Sequence, residues 1–138
     1  MRFMILVKAN ADSEAGTLPS AEELAEMGRY NEELVKAGVM LAGEGLHASS
    51  RGARVRFSGS ERTVVDGPFT GDLLAGFWLI QVKSREEAVE WVRRIPFREG
   101  EVEIRQVAEA ADFAASDPTG ELMAAEERLR AQVAAQQA

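Results

Sequence analysis

Gly76-Phe77-Trp78-Leu79-Ile80-Gln81-Val82-Lys83, followed at once by Ser84-Arg85-Glu86-Glu87, reads as a strand running into a helix. Apolar side chains stand on both parities of the first stretch, Phe77 and Leu79 on one and Trp78, Ile80 and Val82 on the other. Successive strand residues point to opposite faces, so this strand is covered on both. Ser84 and Glu87 have the spacing of a capping box, in which each side chain satisfies the other's free backbone N–H. The helix buries Ala88, Val89, Val92 and Ile95 and is stopped by Pro96, which has no N–H to continue it.

Working outward, residues 101–107 alternate Val102 and Ile104 with Glu101, Glu103 and Arg105, as a half-exposed strand does. Upstream, a strand over 2–8 is again apolar on both parities. A polar loop over 10–19 leads to a second capping box at Ser20-Ala21-Glu22-Glu23. Leu24, Met27, Asn31, Leu34 and Val35 give that helix one partly apolar stripe, and Gly38 ends it. A strand over 39–47 follows, and residues 54–58 and 62–66 form a hairpin around Ser58-Gly59-Ser60-Glu61.

The order is therefore β-α-β, a hairpin, then β-α-β. This predicts an α+β fold with a ferredoxin-like subunit, an antiparallel sheet carrying its helices on one face. Two helices cover one face only. The cheapest cover for the other is the same sheet of a second copy, which predicts a homodimer. Residues 1–115 form this domain. Residues 116–138 are rich in alanine and charge and form a C-terminal helical arm, with a helix starting near Asp117-Pro118 and a thin apolar line of Leu122, Leu129 and Val133.

The 138 residues carry 23 acidic and 16 basic side chains, a formal charge of −7, and no cysteine. The negative balance disfavours nucleic acid and anionic membrane as partners, because both need basic surface. Without cysteine there is no thiolate nucleophile and no zinc-finger spacing, and no cofactor or metal is indicated. The apolar run Phe3–Val7 is too short for a signal or spanning segment, so a cytoplasmic protein is expected.

The chemically suggestive residues are few. His47 is the only histidine, and Asp66 stands before Gly67-Pro68-Phe69. Pro68 cannot donate to the Asp66 carboxylate, which is left to the Phe69 N–H, water or another side chain. Counting by twos from His47 puts Gly45 and Gly43 on its face, leaving a hollow where a ligand or a backbone can approach. Glu44 falls on the opposite parity. Arg54 and Arg56 form the polar parity of the hairpin; either, Arg56 first, is a candidate anion contact and Trp78 a candidate pocket wall, beside their simpler roles as surface and core. A histidine and an acid at two strand ends suit general acid–base chemistry, with His47 moving the proton and Asp66 orienting the ring.

Gly43-Glu44-Gly45-Leu46-His47, Arg54-Val55-Arg56-Phe57, Asp66-Gly67-Pro68-Phe69 and Gly76-Phe77-Trp78-Leu79-Ile80 together resemble the YciI-related family, in its DGPF (DGPFAETKE) branch. The resemblance implies a dimeric α+β barrel in which two sheets face each other, and a His–Asp pair in a pocket, falling on His47 and Asp66. One departure is visible: Thr70-Gly71-Asp72-Leu73-Leu74-Ala75 replaces the family's longer, lysine-containing segment. Two readings follow: an isomerase- or lyase-type enzyme acting on an unknown small molecule, and a non-catalytic dimeric module that binds one. A pocket enclosing both side chains favours the first. An exposed His47 with no acid in reach favours the second.

Overall fold

The computed structural model describes Met1–Ala138 and divides the chain into two compact units, Met1–Val107 and Ala108–Ala138. In the first, β1 (Arg2–Lys8), β2 (Met40–Gly45), β5 (Leu74–Gln81) and β6 (Val102–Gln106) form one sheet in the order β2-β5-β1-β6, every neighbouring pair antiparallel. Setting aside the hairpin β3 (Ala53–Ser58) and β4 (Glu61–Asp66), this order and the two long helices are compatible with the ferredoxin-like plan.

The helices α2 (Ala21–Lys36) and α3 (Arg85–Arg93) begin where the capping pattern places them. Ser20 accepts from the Glu23 N–H and the Glu23 carboxylate returns to the Ser20 N–H, both at 3.1 Å. At α3 only half the box forms: Ser84 accepts from the Glu87 N–H, while the Glu87 carboxylate takes the Lys83 N–H instead. Gly38, with φ at +72°, turns the chain out of α2 in a conformation that costs other residues strain.

Register shows which side chains share a face. Phe3 stands opposite Ile80, Ile5 opposite Trp78 and Ile104, and Val7 opposite Gly76 and Val102. This face carries the core: Phe3, Ile5, Trp78, Ile80 and Val82 pack with Tyr30 and Leu34 of α2 and Ala88 of α3. The Tyr30 and Trp78 rings meet edge-on, with centroids 5.6 Å apart. Each polar handle is satisfied, the indole N–H by Asn31 Oδ1 at 2.9 Å and the phenol by the Trp91 carbonyl at 2.8 Å. Burial pushes the Tyr30 hydroxyl up to about 12. The opposite face presents Met4, Leu6, Phe77 and Leu79, all half-exposed and outside the core cluster.

Three local readings are corrected. The loop over 10–19 contains a short helix, α1 (Ala11–Glu14), because Asn10 and Ser13 make a capping box of their own. Strand β2 stops at Gly45, so His47 lies in the connection that follows it; Leu46 gives the last N–H, to the Ala75 carbonyl. The sheet register also shifts between Met40 and Ala42. This irregularity puts Met40 on the same side as Gly43, where simple alternation separates them.

In the second unit, a short three-ten helix (Ala110–Ser116) precedes α4 (Glu121–Gln137), which starts three residues beyond Asp117-Pro118. Asp117 is nevertheless its cap. The buried carboxylate accepts from the Leu122 and Met123 N–H groups at 3.1 and 2.9 Å. No helix of the protein is long and apolar enough to cross a membrane.

Candidate functional site

The ends of β2 and β4 are tied together through the turn Ser49–Arg51. Gly67 donates to the Gly52 carbonyl at 3.0 Å, and the Phe69 N–H donates to Ser49 Oγ at 2.9 Å. The Phe69 donor is therefore spent on Ser49 and does not reach Asp66. Gly67 has no room for a side chain, since a Cβ there would lie 1.8 Å from the Ser49 carbonyl oxygen. The Gly67-Pro68 peptide is cis.

Ser49 is itself held from a third direction. Its N–H and its hydroxyl donate to the two oxygens of Glu14, at 2.9 and 2.5 Å. These bonds hold the Glu14 carboxyl below its ordinary range, because they favour the ionised form. The segment after Phe69 is anchored as well. Asp72 takes the Lys8 ammonium at 2.8 Å, Glu103 lies 3.4 Å from the same nitrogen, and the Ala9 N–H donates to the Leu73 carbonyl. The Asp72 hydrogen bond raises Lys8 above its ordinary value. The turn at the Asp66-Gly67-Pro68-Phe69 stretch is thus fixed by contacts on both sides.

On this frame His47 is exposed, and its ring meets Arg51, whose Nη1 lies 3.3 Å from Nδ1 and 3.2 Å from Nε2. A nitrogen equidistant from both ring nitrogens cannot approach in the ring plane without striking a ring carbon. It sits over the face, as a cation stacked on an aromatic ring. Asp66 is exposed too, makes no side-chain hydrogen bond, and has no histidine or other cation within 4.0 Å. The fold gathers the two strand ends; it does not join the two side chains in a dyad.

The remaining candidates separate. Gly45 is open, with nothing within 4 Å of a Cβ built there. At Gly43 the space is taken by Met40 Cε and Trp78 Cδ1, each 2.8 Å from such a Cβ. Trp78 is only 8% exposed and lies in the core beneath α2, away from the open face of the sheet. Arg56 is exposed on the hairpin opposite Thr63, and Glu44 is exposed opposite Phe77. Three participants were not among the sequence candidates: Glu14, Ser49 and Arg51. Only Glu14 left a signal, since the Asn10-to-Ser13 spacing could have marked the helix that presents it.

The family model described as the YCII-related domain matches residues 1–111. No curated protein matches the chain.

Proposed function

The chain belongs to the YCII-related family, and from that premise we propose that it is a small-molecule-binding module whose ligand lies against His47 and Asp66. One observation carries this reading: both side chains are exposed, Asp66 is in no ion pair and His47 touches only Arg51, beside strand ends held by Gly67–Gly52 and Phe69–Ser49 bonds. A rigid mount with free polar groups is what a binding site needs. The working unit in this proposal is a cytoplasmic homodimer of the DGPF branch. Its sheets face each other through Met4, Leu6, Phe77 and Leu79, the apolar face that the chain's own core does not use.

A second reading, general acid–base catalysis by His47 with Asp66 on the same substrate, is favoured by the tying of the two strand ends. Catalytic contacts are often long before substrate arrives. In that case the groups act from two sides of the bound molecule.

A ligand-observed NMR screen of small acids, amines and alcohols, with hits mapped on the ¹⁵N-labelled full chain, tests the location. The expected shifts cluster at residues 45–49 and 66–69 and disappear in His47→Ala and Asp66→Asn. Hits that map instead to the groove of about 200 Å³ lined by Val92, Ile95, Phe97 and Val102 overturn it.

A further inference from the structure

The charge of this chain is unevenly spread. Residues 48–65 hold Arg51, Arg54, Arg56 and Arg62 against a single carboxylate, Glu61, inside a protein of net charge −7. Several other cations of the first unit find acids, Lys8 with Asp72 and Glu103, Arg93 with Glu90, Arg98 with Glu26 and Arg105 with Glu103, while Arg29, Lys36, Lys83, Arg85 and Arg94 are scattered singly without one. Arg51, Arg54 and Arg56 have no carboxylate within 4.0 Å.

Two of these guanidinium groups also rest on rings. Arg51 lies over the His47 ring, and Arg54 lies 4.0 Å from the centroid of Phe69. A guanidinium resting on a ring keeps N–H groups free, and its fork of donors matches a carboxylate or phosphate with two parallel hydrogen bonds. The supports of the two groups are joined, because Phe69 is bonded to Ser49, two residues before Arg51. Register puts Arg54 and Arg56 opposite Val65 and Thr63, and puts Asp66 opposite Ala53, on the other hairpin face. The arginine face therefore carries no carboxylate until Glu61 at the hairpin tip.

We propose that the junction of the Ser49–Arg51 turn and the β3–β4 hairpin is an oxyanion site, with Arg51 and Arg54 gripping the carboxylate or phosphate of a small organic anion. The inference rests on the ligand-site reading above and deepens it by naming the ligand class. The arginines supply charge and orientation; His47, beneath Arg51, is left next to whatever is attached to the anionic group.

The test uses the ¹⁵N-labelled full chain at pH 7, following backbone amides and arginine Nε–H signals. Sodium phosphate and sodium acetate are the two probes, with sodium chloride at matched ionic strength as the reference. The expected result is a saturable shift at Arg51 and Arg54 with one or both oxyanions and not with chloride. Arg51→Gln and Arg54→Gln each weaken it about tenfold, and Arg93→Gln, remote from the junction, leaves it within about twofold. Shifts that stay linear, match those of chloride, or survive both junction variants overturn the inference. So does a duplex oligonucleotide that binds the hairpin with steep salt dependence while both small oxyanions fail. The two readings fail separately. If screened neutral or cationic hits still shift His47 and Asp66 while the oxyanions do nothing, the site stands and the anion assignment falls.

Discussion

The chain builds two sheets, and they are opposites. In the four-stranded sheet, Phe3, Ile5 and Ile80 are each 2% exposed and pack under two capped helices. In the β3–β4 hairpin only Val65 is even half-buried, and Phe57 is 70% exposed with Val55 and Val64 beside it. Burial of apolar surface is the main source of folding free energy, so stability resides in the first sheet. A two-stranded ribbon is marginal alone. What holds this one is its root, where Gly52, Gly67, Ser49 and Phe69 lock together. The difference teaches a division of labour: the large sheet holds the fold, and the small one displays arginines and the candidate site at its base.

The sharpest way to break that comparison is a matched pair of phenylalanine truncations. Phe3→Ala should cost about 4 kcal/mol, from lost burial and the cavity left behind. Phe57→Ala should cost no more than about 0.5 kcal/mol, because a solvated ring has little to lose. Urea unfolding of the two variants checks this. Equal losses would mean that the hairpin ring is covered in solution, and the contrast would fail.

A second pair concerns glycines close to one another at the site. Gly67→Ala should cost about 3 kcal/mol, since the new Cβ collides with the Ser49 backbone and one of the two segments must move. Gly45→Ala meets nothing within 4 Å and should stay within about 0.5 kcal/mol. Thermal unfolding with amide shift mapping reads both, and the Gly67→Ala shifts should centre on Ser49 and Phe69.

How much of this was legible beforehand depends on the range of the interaction. The strand–helix order, both N-caps and the Gly38 stop are local signals a few residues long, and the structure holds them where the spacing placed them. The α4 start was misplaced because Asp117 caps from a distance, reaching Leu122 and Met123 across an intervening turn. The filling of the space at Gly43 by Met40 was hidden by the register shift at Met40/Ala42, since one extra residue defeats simple counting by twos and brings Met40 to the Gly43 side. At the site, the sequence marked His47, Asp66 and the proline turn. It could not mark the bond between Glu14 and Ser49, which are 35 residues apart, nor the placement of Arg51 over the His47 ring. Such pairings are products of the tertiary fold.

The smallest predicted effect is a pH dependence at that root. Glu14 titrates below its ordinary value of 4.5 in the folded chain, so its bonds to Ser49 favour the folded form fully above that value. The contribution is lost as pH falls through the lower folded-state value. The Ser49 and Phe69 amides should therefore lose protection as pH falls below 4.5 and Glu14 takes up its proton, while the Trp78 and Ile80 amides keep theirs. In Glu14→Gln the two root amides should show no such step. A step that persists in the variant would assign the effect to another carboxylate.

Native-state hydrogen exchange of the full chain tests the division between the two sheets most directly. The account predicts that the slowest amides of β1 and β5 exchange only through global unfolding. Those of β3 and β4 should exchange through local opening, at least about a hundredfold faster, with protection rising toward the root at Gly52 and Gly67. Equal protection in both sheets, falling together with denaturant, would show that the hairpin belongs to the stable body and would contradict the account.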